Sequence, residues 1–184
     1  MNAPDPRADF LADSIDEFRR MKKLAEKSLA RMTDEQFFQP LDAESNPAAL
    51  VVKHMAGNMR SRWRDFLTTD GEKDDRNRDT EFELDAADTR TALMERWEAG
   101  WALCFGALEP LGPDDLSRHV LIRSEPHTVT RAVIRQLTHY SYHVGQIVTL
   151  AKHAASSDWQ SLSVPRGQSD EFNRKMLEKF PAKG

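Results

Sequence analysis

Apolar residues return every three or four positions along residues 8–32, where Phe10, Leu11, Ile15, Phe18, Met21, Leu24 and Leu29 alternate with charged side chains. That period puts them on one stripe of an amphipathic helix. Residues 33–47 break the pattern with Pro40 and Pro47. Ser45 or Asn46 stands where a second helix would be capped, with Pro47 in its first turn, and that helix is expected over 48–69. Residues 70–88, DGEKDDRNRDTEFELDAAD, carry mixed charge and no apolar period. They predict a long surface connection that buries nothing and that can cross between helices that are not nearest neighbours. A third helix is expected over 89–111, with Leu93, Trp97, Trp101, Phe105 and Leu108 on one stripe and Leu111, Gly112 and Pro113 as its stop. Within 116–130, Val120 and Ile122 alternate with His119 and Leu121 ahead of a turn-like Ser-Glu-Pro, the pattern of a small β-hairpin. The fourth helix, over 130–155, is the most apolar and is expected to be the most buried. After it the chain has an extended piece marked by Pro and Gly, then one short helix.

Four long helices and one hairpin predict an all-α fold: a four-helix bundle with a long crossover connection and a small β-hairpin before the fourth helix. A chain of 184 residues holds one full hydrophobic core, so 1–184 is expected to be a single domain. No repeat of solenoid length and no low-complexity tract interrupts it. Thirty acidic against 26 basic residues leave a net charge of -4, which supplies no basic field for nucleic acid. No run approaches the roughly 18 to 20 apolar residues of a membrane span. The opening residues are too acidic and polar for a signal peptide, and the single cysteine, Cys104, cannot form an internal disulfide. A cytoplasmic protein with no membrane partner is the expectation.

The chemistry centres on THYSYHVGQI, residues 138–147, where His139 and His143 stand four apart inside an apolar helix. At about 100° per residue the two lie roughly 40° apart around the axis and about 6 Å apart along it, so both rings can reach one ion. Ala132, Gln136, Gln146 and Leu150 share that stripe, while His153 is about 15 Å beyond His143 and out of reach. From the spacing alone the pair reads either as metal ligands or as two core histidines hydrogen-bonded to neighbours. A third imidazole would favour the metal, and His54 is the best candidate, on a mixed face of the second helix beside Gly57. Three imidazoles on one cavity suit a divalent first-row metal and leave positions open for water or substrate.

The HMAGN segment at His54 and the HYSYHVGQI segment at His139 resemble the DinB-like family of metal-binding four-helix bundles, which includes bacillithiol transferases and mycothiol-dependent isomerases. In that family a histidine of the second helix and an H-x3-H pair followed by a Gly-Gln-Ile-like segment hold a divalent metal, usually zinc or nickel. His54, His139 and His143 match those positions, and Gly145, Gln146 and Ile147 match the trailing segment. The likeness covers all four helices and is specific at the second and fourth. The hairpin and the SLSVPRGQS tail are similar to a branch of the family without an assigned activity. The resemblance implies zinc or nickel as cofactor, a low-molecular-weight thiol as possible second cofactor, a small-molecule substrate and a homodimer.

Other residues are candidates to support the ligands or meet a substrate. Asn58, one turn after His54, could donate to a substrate, or be a helix-packing amide. Gln146 shares the histidine stripe, and Tyr140 and Tyr142 flank the pair, where packing is expected and Tyr142, leaning toward the stripe, could hydrogen-bond to the ligands. His127 and Glu125, at the hairpin's exit, could serve as acid or base if the hairpin folds over the site. Arg166 could clamp a substrate carboxylate, or be a solvated tail residue. Cys104 reads as a small buried hydrophobe, and the arginines of MRSRWRDF, residues 59–66, as a solvated face. The leading reading is a metal-dependent enzyme that activates a thiol or water against a small electrophile, of thiol transferase or hydrolase type, with no residue standing out as general base. The alternatives are a non-catalytic metal or small-ligand binding bundle and a structural protein with ordinary core histidines.

Overall fold

The computed structural model describes residues 5–181, so the first four and last three residues of the expected domain lie outside it. The chain is mostly helical. Helix α1 (Pro6–Leu29) starts at Asp5, whose carboxylate accepts from the Arg7 amide at 2.9 Å, and Pro6 fills the first turn. Its expected stripe faces inward, with Leu11, Ile15, Phe18, Met21 and Leu29 buried and Phe10 and Leu24 partly so. The following break contains a helix that the prolines concealed. In α2 (Asp34–Phe38), Thr33 and Gln36 form a reciprocal capping box, and the one turn drops Phe37 into the core.

Helix α3 (Ala48–Trp63) has Pro47 at its N-cap position and not in its first turn, without a side-chain cap from Ser45 or Asn46, and ends six residues short of the expected boundary. Asp65, at φ 50°, turns the chain away after it. Helix α4 (Arg90–Leu108) is capped by Thr89 and packs chiefly on α3. Gly100 permits the close approach, since a Cβ there would lie 3.1 Å from the Cβ of Met59. Strands β1 (His119–Ile122) and β2 (Glu125–Thr128) pair antiparallel with Ile122 opposite Glu125 and His119 opposite Thr128. Their two-residue turn holds Arg123 and Ser124 at φ 55° and 64°, and the Asp70 carboxylate accepts both turn amides, at 2.8 and 2.7 Å. Thr128 then caps α5 (Val129–Ala155), which packs on α1 and α3. The tail carries α6 (Ser169–Lys179), none of whose residues is buried.

Each long helix contributes a ring to one aromatic cluster. Phe18 of α1 lies 6.0 Å from Trp63 of α3, 6.3 Å from Trp101 of α4 and 5.7 Å from Tyr140 of α5, centroid to centroid. Two of its polar tips are matched, since Trp63 Nε1 donates to Tyr140 Oη at 2.9 Å and Tyr140 donates to Asn58 Oδ1 at 3.2 Å, while Trp101 Nε1 has no partner. The most buried helix is α3 and not α5, contrary to its hydropathy. Helix α3 is covered by α4, α5 and the connection after it, whereas α5 leaves a face with Ile134 and Tyr142 in solvent.

Two further expectations fail on that connection. Residues 70–88 do bury groups, namely Gly71, Glu81 and Asp88, and for the two carboxylates charge pairing replaces apolar burial. Asp88 takes Lys53 Nζ at 2.5 Å and Arg96 Nη1 at 2.7 Å, and a 3-10 turn (Asp79–Phe82) lays Glu81 on α3. Arg62 is likewise no part of a solvated face: it is 4% exposed, under the same segment, while Arg60 remains at the surface. Among the described residues no helix is long and apolar enough to cross a membrane.

Phe18 meets three of the four helices' rings, so Phe18→Ala should lower the unfolding free energy by about 3–5 kcal/mol. Leu177→Ala, on the exposed face of α6, should change it by less than about 0.5 kcal/mol. Urea unfolding of both variants checks the contrast.

Candidate metal centre

The fold brings together the three histidines that sequence spacing singled out. His54 comes from the middle of α3, and His139 and His143 come from successive turns of α5. His139 Nε2 stands 3.3 Å from His54 Nε2 and 3.1 Å from His143 Nε2. Nitrogen ligands about 2.0–2.1 Å from one zinc ion would stand about 2.9–3.4 Å apart in octahedral to tetrahedral geometry. The three rings could hold a metal ion.

Hydrogen bonds on the far side of two rings fix which nitrogen faces inward. His54 Nδ1 donates to Glu81 Oε2 at 2.9 Å, and His143 Nδ1 to Gln146 Oε1 at 2.7 Å. Gln146 is oriented by its own amide, which donates to Tyr142 Oη at 3.2 Å. With a proton on each Nδ1, the Nε2 atoms of His54 and His143 present lone pairs toward His139. A single proton on His139 Nε2 cannot serve both neighbours, and a cation among the three satisfies all of them. Burial holds His139 in its neutral form down to about 3, with the nearby rings of His143 and His54 adding to the effect, and burial lowers His143 as well. Neutral imidazole is the ligand form.

The carboxylate behind His54 is held in turn. Glu81 receives Arg76 Nε at 2.8 Å on one oxygen and Arg76 Nη2 at 2.8 Å on the other. Burial works to raise its pKa, but the bonds from Arg76 and His54 outweigh that and keep it below the usual carboxylate range. Gly57, expected to leave room beside His54, leaves room for this carboxyl group: a Cβ at that position would meet Glu81 Cδ at 2.8 Å. Phe82 lies over the His54 ring with centroids 4.9 Å apart.

The histidines open on a cavity of about 350 Å³ that is also lined by Asn58, Gln136 and Tyr142. Asn58 faces the cavity but spends its amide oxygen on Tyr140, a packing role. Tyr142 is 64% exposed and reaches the site through Gln146. His127 is 1% exposed inside the hairpin and neither of its ring nitrogens makes a hydrogen bond, although Glu125 Oε2 lies 3.3 Å from Nε2. Neither His127 nor Arg166, which is exposed in the tail, lines this cavity. Cys104 is fully buried among aromatic rings, and burial pushes its thiol well up, so it is no nucleophile. Glu81 and Arg76 are the residues that sequence reasoning missed. The only trace was Phe82 and Leu84, the two large apolar residues in a mostly polar run.

A family model described as "Protein of unknown function (DUF1572)" matches residues 5–168. The match includes both helices that carry the histidines, and the chain belongs to that family. No curated protein and no solved structure matches this chain.

Gly57→Ala should push the Glu81 carboxylate off His54 and cost about 1–3 kcal/mol through overpacking. The hydrogen-bonded His54 Nδ1 proton, expected far downfield in the wild-type NMR spectrum, should disappear in the variant.

Proposed function

We propose that this member of the DUF1572 family is a DinB-like four-helix bundle, a single domain over 1–184, that holds one divalent metal ion on His54, His139 and His143. The observation that carries the reading is the convergence of three Nε2 atoms, with the Nδ1 atoms of His54 and His143 engaged by Glu81 and Gln146. Carboxylate or amide groups behind ligand histidines orient the rings and raise their basicity. A divalent ion there would act as a Lewis acid, lowering the pKa of a thiol or water and polarising an oxygen. Three ligands grouped to one side leave further positions toward the cavity, the arrangement of a reactive site and not of a closed structural one. The chain's part is to exclude bulk water on the Phe82 side, keep the rings neutral and admit a small molecule past Tyr142. We therefore favour an enzyme of thiol transferase or hydrolase type acting on a small electrophile, with zinc or nickel as the ion. A homodimer and a cytoplasmic location belong to the same reading. A non-catalytic metal-binding bundle is the alternative, and the open cavity argues against it.

Untagged protein should contain close to one divalent ion per chain by mass spectrometry, and His139→Ala/His143→Ala should contain none. Wild type that carries no metal and takes up neither zinc nor nickel would remove the basis of the proposal. Glu81→Gln, which keeps the shape but loses the charge, should weaken zinc binding about 10- to 100-fold in a chelator competition. Unchanged affinity would show that Glu81 only packs.

A further inference from the structure

The cavity over the histidines is lined by five arginines, Arg62, Arg76, Arg78, Arg123 and Arg135, and by no Asp or Glu. They arrive from four places: α3, the connection after it, the hairpin turn and α5. Three carboxylates stand behind them. Glu81 is engaged by Arg76, and Glu72 lies 3.2 Å from Arg76, 3.4 Å from Arg123 and 3.9 Å from Arg62. Asp70 is occupied by the backbone amides of Glu72, Arg123 and Ser124. Positive charge is therefore in excess at the cavity before any metal is added.

The arginines are not equally engaged. Arg78 lies over the Phe82 ring, 5.0 Å from its centroid. Arg135 is exposed and makes no ion pair among the described residues. Arg62 is the informative one, because it is 4% exposed and its Nε and Nη1 have no hydrogen-bond partner. Gln136, 1% exposed and on the same lining, has an unpartnered Oε1. A buried guanidinium without an acceptor is costly, and Arg forks match the two oxygens of a carboxylate or phosphate.

We propose that this arginine collar binds an oxyanion group, carboxylate or phosphate, of the molecule on which the site acts, holding it over the three histidines. The collar gives the site a substrate class: small anionic molecules, steered in by the field of a cavity with one sign of charge. The inference rests on the metal reading only for the position of the reacting group, since the guanidinium groups are in place without an ion.

The test is isothermal titration calorimetry with inorganic phosphate and with succinate, on zinc-loaded protein free of excess metal and on chelator-stripped protein. Arg123→Ala, Arg135→Ala and the double variant, all at exposed positions and checked for fold by circular dichroism, are compared with wild type. Saturable binding at one site, weakened about 10- to 100-fold by each single change and abolished by the double, supports the collar. Phosphate or succinate binding to stripped protein that still depends on the arginines supports it even if the metal reading fails. Which of the two probes binds more tightly separates a phosphate from a carboxylate site. No binding of either probe, or zinc-dependent binding that ignores both arginines, overturns the collar and leaves the metal reading standing.

Discussion

A carboxylate buried against a helix is costly unless its oxygens are filled, and a buried guanidinium has the same requirement. Glu81 and Arg76 meet both demands together, with side chains 8% and 5% exposed and two parallel bonds between them. The remaining valence of Glu81 goes to His54. This relay ties residues 70–88 to α3, places Phe82 on the imidazole and chooses the nitrogen that His54 turns toward α5. Gly57 supplies the volume it occupies. Without the pair, His54 would lose its orientation and the connection would have no buried anchor over the cavity.

The relay orients one histidine, and the aromatic cluster sets the register among all three. Asn58 stands one turn from His54 on α3, and Tyr140 follows His139 directly on α5. The chain of hydrogen bonds from Trp63 to Tyr140 to Asn58 therefore joins the same two helices that carry the histidines. Around 100° of rotation separates neighbouring residues on a helix, so Tyr140 can be a core ring while His139 looks into the cavity. Packing of Phe18 and Trp101 against Tyr140 makes that alternation rigid.

Much of this was legible in the sequence wherever the physics is periodic. The stripes of α1 and α4, the inward pair Val120 and Ile122 and the approach of His139 to His143 all follow from helix or strand repeat, and each is where the period puts it. The failures are mostly at polar positions. Residues 70–88 and Arg62 read as solvated, yet Glu81, Asp88 and Arg62 are buried. What buries Glu81 and Asp88 is pairing with Arg76, Lys53 and Arg96, partners set by tertiary approach and not by spacing. Charge pairing leaves no period, so hydropathy reads both members as surface. The α2 turn was hidden differently: two prolines overshadowed a capping box that was present in Thr33 and Gln36.

The same distinction separates what stabilises the fold from what the cavity is for. The core matches several of its polar tips: Trp63, Tyr140 and Asn58 have partners, although Trp101 Nε1 and the His127 nitrogens do not. The cavity wall does the opposite, gathering the Nε2 atoms of three imidazoles and unpartnered donors on Arg62, with the Gln136 oxygen left over. Sequences generally keep such conflicts out of a core, and those that persist cluster where another species is meant to resolve them. The conflicts here are of two kinds and ask for two species. Converging nitrogen lone pairs call for a cation, which the surrounding arginines would repel, and the arginines call for an anion, which the imidazole lone pairs would repel. Neither group alone neutralises the cavity, whereas a metal ion and an oxyanion bound side by side would match the imidazole nitrogens, the free Arg62 donors and each other. The geometry is thus better suited to a ternary arrangement of protein, ion and anionic molecule than to either partner alone.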